Sequence, residues 1–278
     1  MRASLLNNKK IGFIGTGNMG QTIIRALINT NKVSPTNIIA TNRTLGKLQK
    51  LRSQLGIDVV SNTDELLNQC EVIVLGMKPQ DFYSAIEPVA SYFSSQHVVV
   101  SILAGISIKS LQKVLPNVRT LIRAMPNTAG TMGQSVVGYC LAESAKGMEG
   151  LAEELLEPLG YVVYAEEGEA FEALTVACSS GIGFVFELMI YWQEWLEDHG
   201  FEPKTAQAMT VKTFLGASLL VDQSENMSIQ ELQNKVISKK GVTAAGLSSM
   251  GELEVERAIR YSFEKAVLRD RELGQISV

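Results

Sequence analysis

Residues 11–20 read Ile-Gly-Phe-Ile-Gly-Thr-Gly-Asn-Met-Gly, a G-x-G-x-x-G run (Gly15, Gly17, Gly20) fused to an apolar segment. Few short patterns restrict a fold as tightly. The apolar segment predicts a strand over Lys10–Ile14. The spacing of Met19, Ile23, Ile24, Leu27 and Ile28 predicts a helix directly after the glycines. The first glycine permits a tight turn, the second lets backbone approach a pyrophosphate, and the third lets the helix pack closely on the strand. The helix N-terminus then offers unpaired N–H groups and positive partial charge to the phosphates. Strand, glycine turn and helix together predict a dinucleotide-binding site.

The segments that follow extend the pattern. Strands are expected at Asn37–Thr41, Asp58–Val60, Val72–Leu75, Val98–Leu103, Arg119–Arg123, Ser135–Cys140 and Tyr161–Tyr164, with helical stretches such as Leu45–Leu55, Ile108–Val114 and Ser144–Glu157 between them. Continuous apolar runs such as 72–75 suit strands buried on both faces of a parallel sheet. After residue 166 the β pattern stops, and Ala170–His199, Pro203–Asp222, Ile229–Val236 and Glu252–Leu273 read as helices. The fold class is therefore α/β: a Rossmann-like doubly wound sheet over residues 1–166, then an all-helical domain over 167–278. The helix carrying Phe184, Val185, Leu188, Met189, Trp192 and Trp195 shows more apolar surface than a lone exposed helix would. Either it forms the core of the helical domain or it meets a second subunit.

Composition removes several classes of function. The net charge is −4, with no dense block of Lys or Arg, so nucleic acid is not an expected partner. The N-terminal residues lack the apolar stretch of a signal peptide. The longest apolar stretch, Ile182–Trp192, holds Glu187 and falls short of the ~20 residues of a membrane span. Three dispersed cysteines read as free thiols, so a cytoplasmic protein without membrane association is expected. No metal-ligand spacing is present, no metal is expected, and the two histidines, His97 and His199, read as structural.

The second strand decides the nucleotide. NAD-specific sites place an acid about 20 residues beyond the glycines to hold the ribose 2′-OH. Here the strand ends Ala-Thr-Asn42-Arg43-Thr, offering neutral donors and a cation where a 2′-phosphate would lie. NADPH is the expected cofactor, with NADH as the alternative. Without a histidine, metal or carboxylate pair, hydride transfer is still feasible to a protonated imine, which needs positioning more than activation.

Several segments carry a family resemblance: Lys10–Gly20, Thr41-Asn-Arg-Thr44, Met77-Lys-Pro-Gln80, Val100–Ser107, Arg123-Ala-Met-Pro-Asn-Thr128, Ser180-Gly181 with Phe184-Val-Phe186, and Ser238–Leu247. In their order and spacing they resemble the pyrroline-5-carboxylate reductase family, over nearly the whole chain. The resemblance implies reduction of 1-pyrroline-5-carboxylate to L-proline with NAD(P)H, the last step of proline biosynthesis. It also implies a homodimer formed through the helical domain, which some members assemble into a decamer. It implies that Gly15, Thr16, Gly17, Asn18, Met19, Asn42 and Arg43 hold the cofactor, and that Asn62, Met77, Lys78, Pro79, Leu103 and Ala104 line its path. By the same resemblance Ser238, Gly241 and Val242 bind the substrate carboxylate, with Ser180 and Glu225 nearby, and Thr243 is catalytic at the imine nitrogen. Read from the residues alone, Thr243 also suits an N-cap for the helix that follows.

The chain departs from the family on the substrate side. The usual Ser-Pro-Gly-Gly-x-Thr is Ser238-Lys239-Lys240-Gly241-Val242-Thr243 here, and Lys235 replaces an amide residue shortly before it. A left-handed backbone at 240 would then cost on the order of 1–2 kcal/mol. A paralogue acting on another cyclic imine, or a cofactor-binding regulatory protein with impaired turnover, are the alternatives these departures raise.

Overall fold

A computed structural model describes residues 4–275; residues 1–3 and 276–278 of the expected ranges 1–166 and 167–278 lie outside the described residues. The chain begins as β1 (Ile11–Ile14), α1 (Asn18–Asn29), β2 (Ile38–Thr41), α2 (Leu45–Leu55), β3 (Asp58–Val59), α3 (Thr63–Leu67) and β4 (Val72–Leu75). It continues through α4 (Phe82–Ile86), β5 (Val98–Ser101), α5 (Ile108–Val114), β6 (Thr120–Met125), β7 (Ser135–Leu141), α6 (Glu149–Leu156) and β8 (Gly160–Tyr164). Helices follow: α7 (Glu169–Leu174), a π-turn at Thr175–Ser180, α8 (Gly181–Asp198), α9 (Pro203–Asp222), α10 (Ile229–Val236), α11 (Val242–Glu252) and α12 (Val255–Gln275).

The strands form one sheet in the order β3-β2-β1-β4-β5-β6-β7-β8. All neighbours are parallel except β6 and β7, where the chain doubles back with Arg123 opposite Cys140. Strands in the middle of a parallel sheet are covered on both faces, which explains the uninterrupted apolar runs. Alternate residues divide between two cores. Phe13, Val72, Val74, Val100 and Ile122 lie on one face with Ile24 and Leu27 of α1. Ile14, Ile73, Leu75, Val99 and Leu121 lie on the other with Leu111 of α5 and Phe171 of α7. After β3 the chain crosses to the opposite side of β1, and the carboxyl ends of β1 and β4 flank that reversal. Ligands of open α/β sheets bind at such a switch point.

Two compact units divide the chain, and their boundary differs from the expected one at 166. The first unit extends through Ser180 and takes back the chain from Lys265, while the second comprises Gly181–Glu264. The physical reason is packing: α7 and the π-turn are held against the sheet, Phe171 being fully buried in its core. Ser179 donates to the Pro126 carbonyl at 2.8 Å, and Asn127 Nδ2 donates to the Cys178 carbonyl at 3.0 Å.

Within the second unit α8 packs on α9, with Trp192 edge-on to Phe214 at 5.4 Å. Gly200 (φ +94°) ends α8, donating its N–H to the Glu197 carbonyl, and Pro203 opens α9. His199 Nδ1 bonds the Trp195 carbonyl at 2.6 Å, a helix-end role. Within Glu169–Asp198 a window of 18 residues has mean hydropathy 1.8, longer than the apolar stretch read from sequence. Only Gly181 and Leu196 of α8 are buried, and Trp192 and Trp195 are 50% and 61% exposed. That overturns the reading of this apolar face as an internal core: the single chain supplies too little to cover it.

Candidate functional site

A cleft of about 780 Å³ opens at the carboxyl ends of β1 and β4. Its floor is the turn after β1, where the Gly15 N–H donates to the Thr41 carbonyl at 2.9 Å and the Gly76 N–H to the Ile14 carbonyl at 2.9 Å. Two of the three glycines are forced by geometry. Gly15 has φ +90°, and a Cβ there would sit 2.5 Å from the Met77 nitrogen. A Cβ on Gly20 would meet the Gly15 carbonyl oxygen at 2.9 Å, so this glycine allows α1 to sit tightly on the strand. Gly17 is different: its nearest neighbour would be 3.7 Å away, and it is exposed on the cleft wall. It leaves backbone bare at the start of α1.

Gly17 also caps α1 without a side-chain bond, and the first turn of α1 holds no acid. The first N–H groups of the helix are therefore open to an anion. Around them the cleft is cationic, with Arg43, Lys47 and Lys78 in its lining. Arg43 is 86% exposed, with Nη1 3.9 Å from the Asp81 carboxylate. Thr16 is buried and its hydroxyl accepts from Asn42 Nδ2 at 3.1 Å, which ties the end of β2 to the glycine turn. A glycine cradle that a Cβ would fill, an uncapped helix and three cations fit a phosphorylated dinucleotide.

Of the residues expected to hold or line the cofactor path, Gly15, Thr16, Gly17, Asn18, Met19, Asn42, Arg43, Met77, Lys78 and Pro79 all line this cleft. Asn62 stands between the lining residues Ser61 and Thr63 at the start of α3. Leu103 is buried in the core below, and Ala104 is half-buried in the turn after β5. The lining also includes Lys47, on the first turn of α2 and four positions beyond Arg43. Arg43 precedes the Thr44 N-cap, so the two cations reach the cleft from either side of the helix start, and Lys47 was not among the expected residues.

The second group lies in the second unit, except Ser180, which ends the π-turn. Ser238, Val242, Thr243 and Glu225 are exposed, Val242 to 92%. The N-cap of α11 is Gly241 (φ −82°), with no side-chain bond, so Thr243 is not the cap but lies inside the first turn. The Gly241 N–H donates to the Ser238 carbonyl at 2.9 Å, closing the turn that precedes the helix. The N–H groups of Val242 and Thr243 are left open as a carboxylate-binding helix start would require. Lys240 adopts φ +61°, so the left-handed backbone survives the replacement of glycine by lysine. Lys235 Nζ bonds Met227 Sδ at 3.0 Å.

His97 and the three cysteines are absent from the cleft lining. His97 accepts the Ser94 N–H on Nδ1 at 2.9 Å and reaches the Leu67 carbonyl with Nε2 at 3.0 Å. Cys70, Cys140 and Cys178 are free thiols, and burial pushes Cys70 and Cys140 up to about 12.

Two family models match the chain. Residues 10–105 match that of NADP oxidoreductases, coenzyme F420-dependent, and residues 168–273 that of the pyrroline-5-carboxylate reductase dimerisation domain. The pyrroline-5-carboxylate reductase of Pseudomonas aeruginosa is 30% identical over 275 residues, covering 97% of this chain and all (100%) of that protein. Among solved structures, a pyrroline-5-carboxylate reductase from Coxiella burnetii is similar with a TM-score of 0.87 at 28% identity, covering 96% of this chain and 99% of its own. The pyrroline carboxylate reductase of Plasmodium falciparum, solved with NADP bound, shares the fold with a TM-score of 0.85 at 20% identity, over 96% and 98% of the two chains.

Proposed function

This chain belongs to the pyrroline-5-carboxylate reductase family, and from that premise we propose that it reduces 1-pyrroline-5-carboxylate to L-proline with NADPH. The observation that carries the reading is the glycine cradle at the uncapped start of α1, set in a chain whose full length resembles such reductases. The bound nicotinamide would supply the hydride. Gly15–Met19 hold its phosphates, and Asn42 and Arg43 reach the ribose. Arg43, Lys47 and Lys78 favour a 2′-phosphate over a bare hydroxyl because each adds a charge-assisted contact.

On the substrate side, Ser238, Gly241 and Val242 bind the carboxylate, with the open N–H groups of α11 and their dipole favouring the anion. Thr243 holds the proton at the imine nitrogen, and Ser180 and Glu225 contribute to the same binding. A homodimer through the helical domain is supported by the bare apolar face of α8 and the match to a dimerisation domain. Free thiols, two of them buried, support a cytoplasmic setting. One observation favours a second reading, a different cyclic imine: Lys239 and Lys240 stand where the resembled loop carries Pro and Gly.

The test is NADPH oxidation with pyrroline-5-carboxylate, beside NADH and a panel of other cyclic imines. Turnover on pyrroline-5-carboxylate above all others is the expected result. Turnover only on other imines would favour the second reading, and tight NADPH binding without any turnover would refute both. Solution mass then tests the dimer, a decamer being the higher assembly to look for.

A further inference from the structure

Asp81 lines the cleft from the single turn Pro79–Asp81 that follows β4. The sheet order sets β2 and β4 on either side of β1, so Arg43 and Asp81 approach each other from the two flanks of the glycine turn. Arg43 Nη1 and Asp81 Oδ1 are 3.9 Å apart, within ion-pair distance and too long for a hydrogen bond.

Asp81 is also the N-cap of α4, where an aspartate ordinarily accepts a backbone N–H of the first turn. Here its carboxylate makes no capping bond. Backbone and a serine hold the segment instead. The Asp81 N–H donates to the Lys78 carbonyl at 2.9 Å, and the Ser84 hydroxyl donates to the Asp81 carbonyl at 3.1 Å. The carboxylate is left to the cleft, where it pairs with Arg43.

The place of this pair gives it a consequence. An acid or an arginine near the end of the second strand distinguishes a ribose 2′-hydroxyl from a 2′-phosphate. Arg43 holds that position, and the bond from Asn42 to Thr16 ties the strand end to the glycine turn. No acid follows β2, but the β4 wall supplies one that bears on the same guanidinium. A guanidinium paired with Asp81 has less to give a phosphate, and the carboxylate itself repels one. An uncharged 2′-hydroxyl meets neither obstacle. The pair can open readily: the Arg43 and Asp81 side chains are 86% and 38% exposed, and exposed ion pairs are weak.

We propose that Asp81 is a specificity-determining residue: its carboxylate competes with the 2′-phosphate for Arg43, which narrows the preference for NADPH and leaves NADH able to bind. The inference rests on the reading of the cleft as a nicotinamide-dinucleotide site.

The experiment titrates full-length wild type and Asp81→Asn by calorimetry with two matched pairs of ligands. These are NADPH against NADH, and adenosine 2′,5′-bisphosphate against adenosine 5′-monophosphate; each pair differs only in the 2′-phosphate. Two unit charges about 4 Å apart in water are worth roughly fivefold in an equilibrium constant. Asp81→Asn should therefore tighten NADPH and the bisphosphate about three- to tenfold, and leave NADH and the monophosphate within about twofold. Most of that gain should disappear at about 1 M salt, where screening shortens to about 3 Å. No change, an equal change for both members of a pair, or a gain that persists at high salt would overturn the proposal. Should Asp81→Asn fail to fold, Asp81→Ser removes the same charge, keeps a capping side chain and carries the same comparison. A wild type that binds neither dinucleotide would refute the cofactor reading and this inference with it; the other outcomes leave that reading standing.

Discussion

Replacing Lys240 by glycine should stabilise the protein, although lysine is the native residue. Lys240 holds φ +61° on an exposed loop before α11. The left-handed conformation costs a residue with a Cβ roughly 1–2 kcal/mol. Glycine escapes that penalty but gives up about 0.5–1 kcal/mol more backbone entropy on folding. The difference predicts a net gain of about 0.5–1 kcal/mol for Lys240→Gly. Asparagine tolerates this backbone and should recover part of the gain. Lys240→Ala keeps the strain and should stay within about 0.5 kcal/mol of wild type.

A rival cause is charge, since Lys239 adjoins Lys240. Two like charges about 4 Å apart in water repel by about 1 kcal/mol. Salt separates the two effects: screening shortens from about 10 Å at about 0.1 M to about 3 Å at about 1 M, whereas backbone strain is indifferent to it. The assay is urea unfolding of the series at both salt concentrations, at one fixed protein concentration because association shifts apparent stability. The strain argument is refuted if alanine gains as much as glycine, or if the glycine gain vanishes at high salt.

Arg43→Ala should raise the Kd for NADPH by about ten- to a hundredfold, the equivalent of about 1.5–3 kcal/mol for a charge-assisted bond, and leave NADH nearly unchanged in the same titration. Thr243→Ala should lower kcat by about 10²-fold or more while NADPH affinity holds, and an unchanged kcat would reduce Thr243 to a residue of the helix turn. Arg271 donates to both Glu172 oxygens, at 2.8 and 2.6 Å, and this bond holds the Glu172 carboxyl below its usual 4.5. A carboxyl lowered in the folded state contributes stability above its unfolded pKa and loses it as the pH falls through the folded one. Glu172→Gln should therefore lower the urea midpoint at neutral pH and flatten its decline below about pH 4.5, which a pH series of unfolding curves would read.

The cofactor side was readable because its parts are contiguous. A strand, a glycine turn and a helix follow one another in 20 residues, and Gly15 and Gly20 answer local steric demands that their neighbours state. Gly15 to Met19 line the cleft for that reason, while Asn42, Arg43 and Met77 to Pro79 reach it from the ends of β2 and β4. The substrate loop was harder. Its sequence showed glycine lost at 240 without showing whether the left-handed turn went with it, and the structure keeps the turn and puts the cap on Gly241 instead of Thr243. The apolar face of α8 could be recognised as apolar, but periodicity does not say whether the same chain covers it.

By itself the sequence determined the nucleotide turn, the alternation of strands and helices around it, and the absence of an acid after the second strand. Those features depend on sterics and charge over a few neighbouring residues. The tertiary structure alone decided that α12 returns to the first unit, that Asp270 and Glu167 meet one buried arginine, and that Lys47 and Lys78 join Arg43 around one cleft. Arg123 and Asp270 lie 147 residues apart in the chain (270 minus 123) and 3.8 Å apart in space. No local pattern encodes such a meeting. It follows from which surfaces must be buried together once the sheet has formed, and that is a property of the whole chain.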